Sequence, residues 1–277
     1  MQTINRLAVP AAFAALLSTA IAATTAHAGD PVPHRAIYEL KLGAEKGMSR
    51  FTGVTGAVTR SVEKTCDGWI VAEHLIMRIA TRVGGVIDRE VRFTSWESND
   101  ATSYRFAVHT TSKAGNEDTR FQGTLKVPRE GAAGVVTYTQ PQGRTVKVPE
   151  GTHLPISHVR KLTAEAAKGT KQVRFYVFDG SEEKGPDIMS SFILDLDPEK
   201  PLAGASSGKD LGPLAQGPGW RINAAFFEIG ATDAAPTFQI DMELLANGVP
   251  RNMVLDLADF TIIQSLKEVE ALPPPKC

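Results

Sequence analysis

Cysteine is nearly absent from this 277-residue chain, which holds only Cys66 and, as its last residue, Cys277. No C-x-x-C occurs, and two thiolates alone make neither a redox motif nor a structural zinc site. A single-sign charge excess is also missing. Lys and Arg number 30 against 31 Asp and Glu, and the two signs are interspersed without a basic cluster, so neither nucleic acid nor an anionic membrane surface is indicated as a partner. Beyond the N-terminal region no uncharged run approaches the roughly 20 residues a membrane-spanning helix needs. Histidine stops at His158, which removes any chemistry that places its base late in the chain.

The first residues supply a compartment. Met1–Arg6 is short and positively charged, Leu7–Ala23 is apolar but interrupted by Pro10, and Ala26-His27-Ala28 has the small-x-small form that signal peptidase cuts. The expectation is a signal peptide over residues 1–28, cleaved after Ala28, and a single domain over 29–277. The mature chain is then periplasmic, with no transmembrane segment. No cysteine lies where lipoprotein or prenyl attachment would need one. An oxidising compartment permits one pairing, Cys66 with Cys277. In the chain-entropy description, closing a loop of about 210 residues is worth roughly 5 kcal/mol. A buried free thiol at Cys66 and a reactive terminus at Cys277 are the alternatives.

Most of the chain alternates apolar and polar residues with a period of two, punctuated by Gly, Pro, Asp-Gly and Asn-Gly, the pattern of antiparallel β structure. His34–Leu42 places Ala36, Tyr38, Leu40 and Leu42 on one face. Asp67-Gly68 offers the φ > 0 pair of a tight hairpin, and so does Asn247-Gly248 between Phe238–Leu245 and Met253–Phe260. One helix is predicted at 157–168, capped by Ser157 and ended by Gly169. Its first turn carries His158, Arg160 and Lys161, the wrong sign for the helix dipole, so an acidic surface there would match it; solvated charges are the simpler reading. Asp197–Gly219, with four Pro and five Gly, reads as a long surface loop and a contact or lid candidate. Leu272–Cys277 contains Pro273-Pro274-Pro275, an extended strut able to carry the terminal thiol.

Catalytic motifs fail on context. Gly204-Ala205-Ser206-Ser207-Gly208 matches the G-x-S-x-G nucleophile elbow, but Pro198, Pro201 and Pro213 flank it where a strand and helix are needed, and no histidine follows. Ser61–Lys64 and Ser181–Lys184 match S-x-x-K without the S-D-N or K-T-G partners of penicillin-recognising enzymes. His34, His74, His109, His153 and His158 are scattered, with Pro155 between the last two, so no H-E-x-x-H zinc pair forms. Asp195 and Asp197 share a strand face, which more often marks a solvent side than an acid/base pair. Gly204–Lys209 has the wrong spacing for a P-loop. No catalytic, metal or cofactor-binding residue is assigned, and no cofactor is implied.

The export signal, the strand-rich pattern, Cys66 before Asp67-Gly68-Trp69, and the terminal Lys276-Cys277 together resemble the EipB family of periplasmic cell-envelope integrity proteins of alphaproteobacteria. The resemblance implies a disulfide between Cys66 and Cys277. It also implies an all-β fold, a single strongly curved, spiral-like antiparallel sheet with one short helix, with a general likeness to periplasmic lipid and lipoprotein carriers. The function it implies is non-enzymatic support of envelope integrity and stress resistance through protein partners, a tetratricopeptide-repeat protein among them. A carrier that binds a lipid or lipoprotein acyl chain is the alternative, lined by Trp69, Val71, Leu75 and Met77, although any β core needs the same residues. An envelope hydrolase is the third reading.

Overall fold

The computed structural model describes residues 29–47, 49–197, 200–202, 210–231, 235–257 and 259–277. The first half is a meander of long strands, β1 (His34–Glu45), β2 (Phe51–Lys64), β3 (Gly68–Thr81), β4 (Val86–Ser98), β5 (Ser103–Ser112) and β6 (Glu117–Lys126), followed by the shorter β7 (Gly134–Gln140), β8 (Thr145–Val148) and β9 (Thr152–His153). The helix α1 (Pro155–Ala167) leads to β10 (Gln172–Val177), β11 (Asp187–Asp195), β12 (Gly219–Glu228), β13 (Phe238–Leu245), β14 (Pro250–Asp256) and β15 (Phe260–Ala271).

All of these strands belong to one 15-stranded sheet in which β1 pairs with β15, joining the two halves along their middle. The sheet curls into a nearly closed wrap, with β8 and β9 as its two ends. A sheet that size twists too strongly to stay flat, and closing on itself hides its edges. It is antiparallel except for β9 and β10, which run parallel; the intervening α1 supplies the crossover such a pair requires.

Register fixes which side chains face inward. One rung runs from Ala36 through Arg60, Glu73, Phe93 and Val108 to Phe121 across β1–β6. Its hydrophobic members are all buried, so this is the concave face. In the second half, Ile193, Ile222, Met242 and Met253 form the corresponding rung.

The helix lies inside the wrap and ties its two arms together. Leu154 and Ile156 pack among Val62, Trp69, Tyr104 and Phe178, whereas Leu162 and Ala166 pack with Met189, Ile193, Trp220 and Leu244. Full burial of a side chain such as Leu162 is worth about 1.5–3 kcal/mol. The helix starts two residues before the sequence-based expectation. Pro155 occupies its first turn and Ser157 sits at the third position, where its hydroxyl pairs with the main chain of Leu154. Pro155 reads as a breaker in sequence, yet its missing N–H costs nothing at a helix start. Gly169 ends the helix at φ +82° as expected.

Two turn expectations part company. Gly248 adopts φ +84° in the β13–β14 hairpin, whereas neither Asp67 nor Gly68 is left-handed. Gly68 is instead the first residue of β3, and a Cβ there would collide with the Glu97 carbonyl and the Trp96 ring. The described part of Asp197–Gly219 is held down rather than free. Ala215 is fully buried in a 3-10 turn at Pro213–Ala215, and the Leu202 N–H donates to the buried Glu243 carboxylate. Glu243 also accepts from Arg251 and Asn252.

Candidate functional site

The concave face is part core and part cavity. Trp69 and Val71 are buried at one end. Leu75, further along β3, is only half-buried, as is Met77, which packs with the cluster around Val54 and Val58 rather than on the hollow. Val71 and Leu75 border a hollow of about 410 Å³ between β2–β4, β11–β14, α1 and the segment from Phe178 to Asp187. Its surface is dominated by side chains such as Leu75, Phe93, Phe226, Phe238, Met242 and Met253. Phe226 and Phe238 stack with ring centroids 4.4 Å apart. Thioethers and aromatic faces adapt to an apolar guest of variable shape. The volume lies in the range of about 300–1,000 Å³ common to small-molecule sites.

Two groups of charges interrupt this lining. Arg60 and Glu73 sit opposite each other on β2 and β3 and form an ion pair on the concave face. The second group lies on the segment Phe178–Asp187, which bridges the seam between the sheet's ends. Lys184 Nζ stands 2.9 Å from Glu182 and 3.3 Å from Asp187, and Asp179 follows Phe178 at the start of the segment. Burial raises the Asp187 carboxyl above its usual range; Lys184 opposes the shift, and Glu182 and Asp179 reinforce it.

The seam segment is tied to the first arm mainly through its carbonyls. The Tyr104 hydroxyl donates to Asp179 O, the Tyr138 hydroxyl to Lys184 O at 3.4 Å, and Arg144 to Glu183 O at 2.8 Å. On the outside of the same seam a second cleft, of about 560 Å³, is bounded by β7, β8 and the β11–β12 pair, with Val135 and Ile229 exposed on its walls. Lys184, Gly185 and Asp187 line both hollows.

Cys66 Sγ and Cys277 Sγ are joined, with Cα atoms 5.7 Å apart. Beyond β15 the Leu272 N–H bonds Pro33 O, and the proline tail then runs to the β2–β3 turn, where Asn99 donates to Cys66 O. The bridge therefore fastens the end of the chain to the first arm of the wrap.

Among the described residues the candidate catalytic motifs are not assembled into a site. Ser206 lies outside the described residues. Ser61 and Lys64 fall on opposite faces of β2, since strand side chains alternate. Ser181 is exposed while Lys184 is engaged by carboxylates. His74 and His109 pair with Glu90 and Asp118 respectively, and His34 bonds Val32 O. His153 and His158 come together around the Phe175 ring. Burial pulls His34 and His158 down to about 4. Asp195 is exposed beside Lys171. Among the described residues no three His, Cys, Asp or Glu side chains are grouped as metal ligands, and no helix is long and apolar enough to cross a membrane.

Sequence reasoning passed over the Arg60–Glu73 pair and the seam carboxylates. The first was signalled by Arg60 standing in the inward series Val54, Gly56, Val58, Arg60, Val62. The second gave no local signal, because only the closing of the sheet brings its segment to the cavity.

A nearly closed, almost wholly antiparallel sheet wrapped around an apolar hollow defines the fold class of this chain. Comparison with known proteins narrows this. The EipB-like family matches residues 25–273, and the chain belongs to that family. It is 25% identical over 251 residues to the cell envelope integrity protein EipB of Brucella abortus (strain 2308), covering 90% of this chain and 87% of that protein. In structure it is similar to the crystal structure of a beta-barrel-like protein of domain of unknown function DUF1849 from Brucella abortus. That likeness has a TM-score of 0.77 and 24% sequence identity, covering 88% of this chain and 99% of the other.

Proposed function

We propose that this chain supports cell-envelope integrity as a non-enzymatic binding protein of the periplasm, and that its concavity shelters one acyl chain of a lipid or lipoprotein. The envelope role rests on family membership and on the name of the Brucella relative. The observation that carries the binding role is the hollow of about 410 Å³ inside the wrap, walled by Leu75, Phe226, Phe238 and Met253. A sheet packed only for stability would fill such a space, because each methylene left without neighbours loses contact energy.

Protein partners, a tetratricopeptide-repeat protein among them, would engage the outer surface. Phe192 and Leu194, neighbours on the outward face of β11, are 53% and 51% exposed. Adjacent exposed apolar side chains on a strand suit docking of that kind.

Lipid extraction and mass spectrometry of the gently purified, disulfide-bonded protein test the binding role. A co-purifying amphiphile near one per chain is the expected result. Its complete absence, with no uptake of added acyl probes, would leave the cavity unused and the carrier reading wrong.

A further inference from the structure

The hollow is not electrically neutral, and its imbalance is confined to one side. On the β2–β3 wall Arg60 and Glu73 neutralise each other. On the seam, Glu182 and Asp187 share the ammonium of Lys184, and Asp179, whose Oδ1 accepts the Ser181 N–H at 2.8 Å, lines the same hollow without a cation of its own in the segment. This side therefore carries two carboxylates more than it can pair within the segment. One buried oxygen of Asp187, Oδ1, has no hydrogen-bond donor.

Position gives that excess a consequence. The seam segment partitions the internal hollow from the external cleft, with Lys184, Gly185 and Asp187 bordering both. An amphiphile whose chain lies along Phe226 and Met253 would bring its polar end to this partition, the place where the apolar wall gives way to charge. An anionic head there would meet a net excess of carboxylate charge, whereas an ammonium would supply positive charge and an N–H donor for Asp187 Oδ1.

We propose that the cavity selects amphiphiles with a cationic, amine-bearing head, seated against Asp179, Glu182 and Asp187, over those with a carboxylate head. The inference rests on the acyl-cavity reading and adds the chemistry of the head to it. Repulsion from Glu182 and Asp179, which helps to raise the Asp187 carboxyl, is the strain a bound ammonium would relieve.

Three probes of equal chain length, dodecylamine, dodecan-1-ol and dodecanoate, separate the two claims. Each is titrated at pH 7.5, below its critical micelle concentration, against the full mature protein loaded with the neutral fluorophore N-phenyl-1-naphthylamine. The amine is expected to displace the fluorophore at least tenfold more tightly than dodecanoate, with the alcohol between. Glu182 is exposed, so Glu182→Gln and Glu182→Lys should leave the fold intact, confirmed by an unchanged melting temperature. Glu182→Gln should reduce the preference about threefold and Glu182→Lys should abolish or reverse it. Equal displacement by all three heads, or a preference for dodecanoate in the wild type, would overturn the head selectivity while leaving the cavity reading standing. A fluorophore that does not bind, or that none of the probes displaces, would overturn both.

Discussion

The Glu97 carboxylate, projecting from β4 onto the concave face, accepts the main-chain N–H of Ser157 at 2.9 Å. Its other oxygen accepts from Ile156 at 2.7 Å. A side chain almost 60 residues away in sequence thus caps the helix that holds the two arms of the wrap together. The cationic first turn of α1 is matched from within the molecule, by Glu97 and by Asp30, which pairs with Arg160 at 2.5 Å.

Glu97→Ala should lower unfolding stability by about 2–4 kcal/mol at pH 6, since the buried N–H groups of Ile156 and Ser157 would then lose their acceptor. Urea denaturation with circular dichroism measures this. A loss under about 0.5 kcal/mol would show that the cap is dispensable.

Stability should fall on acidification between pH 6.5 and 4. His34 and His158 have folded pKa values near 4, below the unfolded value of about 6.5, so each contributes stability above pH 6.5 that is lost as the pH falls through its folded value. Glu97 works in the opposite direction. Burial lifts its carboxyl to about 7, so its contribution is present at low pH and lost as the pH rises towards 7. Two histidines against one carboxyl leave a net acid lability of a few kcal/mol. His158→Phe should flatten the profile by about 1.4 kcal/mol per pH unit where that group titrates. A wild-type profile that is flat or rises on acidification would contradict this.

Cys277→Ser should destabilise by up to about 5 kcal/mol, the chain-entropy value for so long a loop. Cys66→Ser should do the same, and the double variant should be no worse than either single one, because all three remove one bond. Thermal unfolding without reductant compares them. Additive losses would mean that the thiols act separately.

Filling the hollow should separate binding from folding. Leu75 is half-buried on its wall, so Leu75→Trp adds volume into empty space. Uptake of a neutral apolar fluorophore is expected to weaken at least tenfold while the melting temperature stays within a few degrees. Unchanged uptake would place the bound probe elsewhere.

Much of the fold was legible in sequence, because alternation is a local property. Ala36, Tyr38 and Leu40 share the buried face expected of them, and Asn247-Gly248 turns where its chemistry requires. Features that depend on distant partners were not legible. The helix begins at Pro155 because Glu97 caps it from another strand, and the two-residue β9 exists only because β10 runs beside it. The period-two pattern gives Leu75 and Trp69 the same inward direction, but curvature decides that one packs and the other borders a hollow. The seam carboxylates likewise become one group only when the sheet closes.

The most direct measurement is a crystal structure of the protein soaked with 12-bromododecan-1-ol, whose neutral head is indifferent to the seam carboxylates and whose bromine is located by anomalous scattering. The expected bromine peak lies inside the wrap, among Leu75, Phe226, Phe238 and Met253. An unoccupied hollow, with bromine absent or found only on the outer surface, would contradict the assignment of the concavity as a binding site for an apolar chain.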